Sequence, residues 1–277
     1  MIALGKFKKS KITTKDFNLK GFVKSIVEEK ILVDKNKNII TSSKDRIESR
    51  ILKTYKFSNV GNILNIDKTT TVLEDNNTNN YKSSQSYVYD NLDRIIKYYE
   101  YENSYLEFIY NNKNLISEVN NKDFINGNWE TNIKYEFSYD NNDRLTSIIR
   151  DDYKLNKGGK MYYKEVFSYS NDHLIREETF KQNGALNSFT LYEYSNNNIS
   201  KSIMNTAFNM KIIKTFEYNI NNDVILENAI TTEYEYDNKN NWVKKIDFLK
   251  LNILGKIINF KNKIPISVTT RNITYYQ

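Results

Sequence analysis

The chain has no cysteine, a single histidine, one proline and eight glycines in 277 residues. Without cysteine there is no disulfide, no thiolate metal ligand and no cysteine nucleophile, and the redox compartment stays open. With so little proline and glycine, turns fall to Asn and Asp, which bond their own nearby backbone and tolerate the left-handed conformation. No stretch approaches the roughly 20 apolar residues of a membrane helix. The opening Met1-Ile2-Ala3-Leu4-Gly5-Lys6 lacks the apolar core of about 7 or more residues that a signal peptide needs. On this ground alone the protein is cytoplasmic, or its leader is not part of this chain. A Walker A loop, a dinucleotide fingerprint and a serine elbow are also missing, and Gly158-Gly159 is too little to stand for any of them.

What the chain has is aromatic: 22 Tyr and 14 Phe, 14% of residues counting Trp. Tyr and Phe favour strands, so the composition reads as β. The formal charge is +7, from 41 Lys and Arg against 34 Asp and Glu. The bases are spread among acids, and only Lys6 to Lys11 form a basic block. A nucleic-acid binder would gather its bases in one stripe beside stacking aromatics. Here the aromatics follow a strand period, and the charge reads as solubility.

The aromatics recur in a unit: aromatic, spacer, Tyr, an Asx- or Ser-rich turn, then Arg or Asn before an aliphatic residue. It is clearest in Tyr87-Val88-Tyr89-Asp90-Asn91-Leu92-Asp93-Arg94-Ile95 and Phe137-Ser138-Tyr139-Asp140-Asn141-Asn142-Asp143-Arg144-Leu145. Looser copies begin at Tyr55, Phe108, Phe167, Tyr192, Phe216 and Tyr234, and a degenerate one spans Ile31 to Ile39. Aromatics at i and i+2 share one strand face, while Val88, Ser138, Ser168, Glu193, Glu217 and Glu235 take the other. Each copy therefore predicts an antiparallel hairpin, turning at Asn91, Asn141 or Lys239 and returning through Ile95, Leu115, Leu145, Leu174, Ile199, Val224 or Trp242. The second aromatic is six residues from the aliphatic at Tyr89 to Ile95, but five at Tyr110 to Leu115, Tyr169 to Leu174 and Tyr194 to Ile199, so the turns differ. Polar links join the copies at Asn126-Gly127-Asn128, Asn156 to Lys160 and Gln182-Asn183-Gly184.

Repeat units stack on their neighbours. We therefore expect an all-β fold: residues 1–20 a lead segment, and 21–277 one array of hairpins in a strongly curved, meandering antiparallel sheet, an open spiral or barrel-like. One aromatic fully removed from water is worth at most roughly 4 to 6 kcal/mol, so a face with two per copy cannot stay wet. Tyr89, Tyr139, Tyr169, Tyr194, Tyr218 and Tyr236 are expected to be largely buried.

The string aromatic-x-Tyr-Asp-x-x-Gly-Arg-Leu resembles the YD repeat of Rhs-type bacterial proteins, most closely at residues 85–97, 135–147 and 232–245. The resemblance covers about residues 50–277 and implies a strip of hairpins in a curved antiparallel sheet. It also implies an extracytoplasmic place, in the envelope or secreted. Here Asp93, Asp143 and Asn240 replace the glycine of the motif, and Asn241 replaces its arginine. Nothing like the catalytic C-terminal domain of an Rhs toxin follows the repeats.

The candidate residues divide by what the turns use. Asp90 with Arg94 and Asp140 with Arg144 resemble acid–base pairs, but the carboxylate of such a unit caps its own turn and pairs with the arginine across it. His173 sits at a turn with no Ser or Cys motif to serve, and Asp151-Asp152 reads as a polar turn. No metal-ligand spacing is present. Trp242, in the place of an aliphatic, reads as core, whereas Trp129, beside the link Gly127-Asn128, is the side chain best placed to bind. The expectation is a non-catalytic binding or scaffold protein of the bacterial envelope or exterior, with no cofactor, no metal, no catalytic residue, no nucleic acid and no membrane span. It would contact a protein or glycan through the sheet face and links. The alternative is a polysaccharide hydrolase or lyase with carboxylates on a concave sheet, which would need two of them facing each other about 5 to 10 Å apart. An outer-membrane barrel is a third reading, opposed by the Lys-rich alternate face.

Overall fold

The computed structural model describes residues 19–41, 43, 46–75, 77–153, 161–208, 210–249, 252–253, 256–257 and 264–276. The sheet begins with β1 (Val23–Leu32), β2 (Ile47–Phe57), β3 (Ile63–Glu74), β4 (Asn77–Tyr89), β5 (Ile95–Tyr101), β6 (Ser104–Tyr110), β7 (Ile116–Ile125), β8 (Asn128–Tyr139) and β9 (Leu145–Asp152). It continues with β10 (Met161–Ser170), β11 (His173–Phe180), β12 (Leu186–Ser195), β13 (Asn198–Thr206), β14 (Lys211–Tyr218), β15 (Val224–Glu227), β16 (Ile230–Tyr236), β17 (Trp242–Leu249) and β18 (Ile264–Tyr275). The final strand, β18, pairs with β17 on one side and β1 on the other. The meander is thereby a closed antiparallel β-barrel of eighteen strands, rather than an open spiral. Closure removes the free edges that a long curved sheet would expose.

The chain forms two compact units, one from Tyr87–Thr215 and one from the described residues up to Ser86 together with those from Phe216 onward. In the first, Tyr87, Tyr98, Leu106, Phe108, Ile116, Val119, Phe137, Ile148 and Phe167 are buried together. In the second, Val23, Ile26, Tyr55, Phe57 and Ile63 do the same. The opposite strand face is ionic, with Lys134 between Glu118 and Glu136 at 2.8 and 2.9 Å, Glu193 on Lys201 at 2.8 Å, and Glu235 on Lys244 at 2.6 Å.

One turn geometry explains the motif. In Asp140–Arg144 the Asp140 and Arg144 backbones bond at 3.0 Å, and the Asp140 side chain accepts from the amides of Asn142 and Arg144 at 2.9 and 3.0 Å. Asp143 takes the left-handed conformation at φ 59°. Asp90, Asn111, Asn219 and Asp237 hold their turns in the same way, and so does Asp34 in the degenerate copy. Two-residue turns with both residues at positive φ serve at Asn126-Gly127, Asn171-Asp172 and Asn196-Asn197, the twist that tight hairpins require.

The return strands that pair with Tyr110, Tyr139, Tyr169, Tyr194, Tyr218 and Tyr236 open with a bulge. Ser138 faces Ser147 while Tyr139 faces Leu145, leaving Thr146 extra, and its hydroxyl bonds the Ser138 oxygen at 3.1 Å. The pairing of Tyr110 with Ile116 corrects the expected opener Leu115: the spacing there is six, as at Tyr139 to Leu145, and only Tyr169 to Leu174 and Tyr194 to Ile199 span five. Asp151-Asp152 is not a turn, because β9 runs through it and pairs with both neighbours. Arg150, on the same face as Asp152, bonds its carboxylate at 3.1 Å and makes a buried acid tolerable there. The expected link at Asn156 to Lys160 lies outside the described residues.

Burial of the motif aromatics is uneven. Tyr87, Phe108, Phe137 and Phe167 are buried, whereas Tyr89, Tyr139, Tyr169, Tyr194, Tyr218 and Tyr236 are only half-buried. The second aromatic sits where the ladder to the preceding hairpin has stopped: β8 pairs with β7 up to Glu136, and beyond it only with β9. Its hydroxyl bridges that splay, from Tyr110 to the Ile95 oxygen (2.6 Å), Tyr139 to Ile116 (2.8 Å), Tyr169 to Leu145 (2.9 Å) and Tyr194 to Leu174 (2.9 Å).

Candidate functional site

At the hairpin tips the acid–base pairs are committed to the turns. Arg94 Nε donates to Asp90 at 2.8 Å, its Nη1 reaches Asn114 of the next hairpin at 2.7 Å, and its guanidinium lies 4.4 Å over the Tyr110 ring. Arg144 repeats this, with Asp140 at 2.8 Å, Asp172 of the next hairpin at 3.2 Å and the Tyr169 ring at 5.1 Å. The hydrogen bond from the Arg144 amide holds the Asp140 carboxyl below its ordinary value. Such a carboxylate is a poor general base. His173 lies flat on Tyr194, with centroids 4.4 Å apart and planes 21° apart.

In the last copy Asn241 replaces the arginine and is fully buried. Its amide nitrogen donates to the Lys20 oxygen at 2.8 Å and the Tyr275 hydroxyl at 2.7 Å, and its oxygen accepts from the Lys20 amide. Tyr275 in turn donates to Asp237.

The buried face of the second unit carries ionic and polar groups bonded to one another, although Arg271 Nη1 has no hydrogen-bond partner among the described residues. Glu28 accepts from Arg271 Nε at 2.9 Å, and the Arg271 guanidinium lies 3.4 Å over Trp242, the ring that replaces an aliphatic. Asp247 accepts from Thr232 at 2.9 Å and Ser267 at 2.8 Å. Among the described residues no three His, Asp or Glu side chains gather where a cation could sit.

Trp129 is different. It lies in β8, two residues past the Asn126-Gly127 turn, and packs edge-on against Tyr105 at 4.7 Å and beside Phe124 at 5.2 Å. Tyr105 is buried and touches Tyr99 at 5.3 Å, with Lys97 Nζ 4.8 Å over its ring. Yet Trp129 remains 42% exposed, Phe124 46% and Tyr101 66%. On the opposite face of the same strands Tyr101 lines a hollow of about 260 Å³ with Glu100, Ser104, Tyr105 and Asn121, over Tyr98 and Leu106. The sequence marked Trp129 but not Tyr105 or Phe124, which come from neighbouring strands; only the pairing of β6 and β8 with β7 brings the three together.

The sequence matches no protein-family model and no curated protein. Among solved structures the chain is similar to a porin-like protein from Bacteroides uniformis, at 12% identity and TM-score 0.50, covering 91% of this chain and 98% of that one. This likeness concerns the fold. The chain also aligns with the Photorhabdus luminescens Tc holotoxin pore at 12% identity and TM-score 0.35, over 78% of this chain but 11% of that one.

Proposed function

We propose that this is a non-catalytic binding or scaffold protein of the bacterial envelope or exterior, of the YD-repeat kind, which uses a self-stapled barrel to present an aromatic contact surface. The observation that carries this reading is a contrast in how side chains are used. The turn carboxylates, Glu28, Arg271 and Asp247 are bound to partners within the fold, whereas Trp129 and Phe124, in contact with each other, stand out in solvent. Exposed aromatics clustered on a rigid sheet belong to recognition, since they offer large contact area at little entropic cost. The charged alternate face is unsuited to hydrocarbon, where one basic residue at mid-depth costs about 2 to 4 kcal/mol. The barrel therefore works in water, without spanning a bilayer.

The test is fractionation of a bacterium expressing the gene from its natural locus. Recovery in the envelope or medium supports the reading, and recovery in the cytosol alone overturns it.

A further inference from the structure

We propose that the buried face of the second unit holds a binding site for a small oxyanion of the phosphate or sulfate kind. The site goes beyond the contact surface proposed above and does not depend on it. Residues directly opposite in an antiparallel pair share one face of the sheet. Arg271 of β18 faces Glu28 of β1, which faces Lys53 of β2, which in turn faces Lys68 of β3. In the neighbouring row Lys245 of β17 faces Thr269 of β18, which faces Lys30 of β1. Both rows lie on the face that buries Ile26 and Tyr55, since Ile26, Glu28 and Lys30 alternate along β1 and Tyr55 stands opposite Ile26.

Charge and hydrogen bonding are both incomplete there. The two rows hold five basic side chains and one carboxylate, Glu28. Glu28 accepts from Arg271 Nε at 2.9 Å and lies 4.0 Å from Lys53, while Asp247, two residues along β17, lies 3.6 Å from Lys245. The two carboxylates thus fall three charges short of the five bases. Two buried atoms of these rows, Arg271 Nη1 and Thr269 Oγ1, have no hydrogen-bond partner among the described residues. A guanidinium nitrogen only donates and a hydroxyl is able to donate, so an acceptor serves both. Buried charge without a counter-charge is costly, and an unsatisfied buried group in a folded protein marks the place of a water or an ion. Water would serve the donors and leave the charge. An oxyanion supplies both, through charge-assisted hydrogen bonds.

Spacing and burial set the class of ligand. Arg271 and Thr269 are two residues apart on one strand, about 7 Å, and neighbouring strands are about 5 Å apart, so side chains from both rows converge on one tetrahedral ion. The Arg271 side chain is 9% exposed, which keeps out a nucleic acid or other polyanion, whereas Lys53 and Lys245, at 34% and 29%, leave a small ion its way in. The chemistry recognised is a compact dianion, free in solution or as the phosphoryl end of a small ester.

The experiment titrates the full chain with inorganic phosphate, sulfate and glycerol phosphate, against sodium chloride at matched ionic strength. Trp242 is the reporter, because the Arg271 guanidinium lies 3.4 Å over its ring, and Trp129→Phe leaves it the only indole of the two in the chain. At least one oxyanion should change Trp242 emission saturably at millimolar concentration or below and raise the melting temperature, and chloride should do neither. Lys30→Met should weaken this binding tenfold or more, with a melting temperature in oxyanion-free buffer that is unchanged or higher, since it removes surplus positive charge. If Lys30→Met does not fold, Thr269→Val, which keeps the side-chain size and removes the buried hydroxyl, serves instead and should weaken binding at least threefold. Saturation by glycerol phosphate as well as the free ions supports the site and extends it to esters, and saturation by the free ions alone supports it for those ions. A response matched by chloride, no saturable response, or an affinity indifferent to both substitutions overturns the proposal.

Discussion

The hydroxyl of Tyr139 donates a 2.8 Å hydrogen bond to the main-chain oxygen of Ile116, a residue of the hairpin before its own. The bond stands where the strand ladder has ended, so a side chain supplies the donor that backbone pairing withholds. This accounts for tyrosine as the second motif aromatic at positions 110, 139, 169 and 194: Phe would fill the space, but only Tyr satisfies the carbonyl. A neutral hydrogen bond of this kind contributes about 0.5 to 1.5 kcal/mol, and more is lost if the acceptor stays buried and unpaired.

Tyr139→Phe should accordingly cost about 1 kcal/mol in chemical denaturation, and Tyr169→Phe a similar amount. The added loss should appear as faster hydrogen exchange at the tips of the two joined hairpins. Equal exchange in Tyr139→Phe and wild type would show that the bridge contributes nothing.

The repeat made the hairpins legible because its two signals are local: alternation over three residues and an Asx side chain that folds its own turn. What stayed hidden depends on partners distant in sequence. Leu115 and Ile116 are both aliphatic, and only pairing with Tyr110 selects the second. Thr146 carries no mark of a bulge until Ser138 and Ser147 are seen opposite each other. Asp151-Asp152 looked like a turn because two acids in a row favour solvent, and Arg150 reverses that. The Trp129 cluster draws on β6, β7 and β8, so its single legible member was the indole beside a turn.

Asp93 occupies the motif glycine position at φ 59°. A side chain in the left-handed region costs energy that glycine does not, although Asp bears it better than most residues. Asp93→Gly should leave stability unchanged or raise it by up to about 1 kcal/mol, and Asp93→Val should lower it by about 1 to 2 kcal/mol. A melting temperature higher for valine than for glycine would contradict this turn geometry.

Stability should fall at both ends of the pH scale, for opposite reasons. Asp34 and Asp140 are held below the ordinary carboxylate value first by the amides of Asn38 and Arg144. Their contribution is present above the unfolded value of about 3.9 and is lost as pH falls through the folded value. Burial pushes Tyr87, Tyr139 and Tyr275 up to about 12. Their contribution is complete below the unfolded value of about 10 and is lost as pH rises toward 12. Melting temperature against pH should show both limbs, and tyrosinate absorbance should rise together with unfolding on the alkaline side. Full tyrosine ionisation near pH 10 in a still-folded protein would refute the alkaline limb.

Asn241 shows what a departure from the motif can do. Its turn is intact, because Asp237 still accepts from the Asn241 amide at 2.9 Å and Asn240 still takes φ 59°. The arginine is not missed there. In its place a short, buried amide clasps both polar groups of the Lys20 backbone and the Tyr275 hydroxyl, joining the start of the sheet to its last strand at the seam where β18 meets β1. An arginine is too long for this enclosed position, and Asp237, which would be its partner, already accepts from Tyr275, so the charge would be buried at a cost. Asn241→Leu keeps a similar size but leaves the Lys20 amide and oxygen unpaired, at about 1 to 3 kcal/mol for each buried group lost. We expect a loss of about 2 to 4 kcal/mol, with faster hydrogen exchange concentrated in Val23–Leu32 and Ile264–Tyr275. Restoring the motif with Asn241→Arg should destabilise at least as much, even though it returns the sequence toward the repeat consensus. An Asn241→Arg protein as stable as wild type would mean that the seam is closed by strand pairing alone.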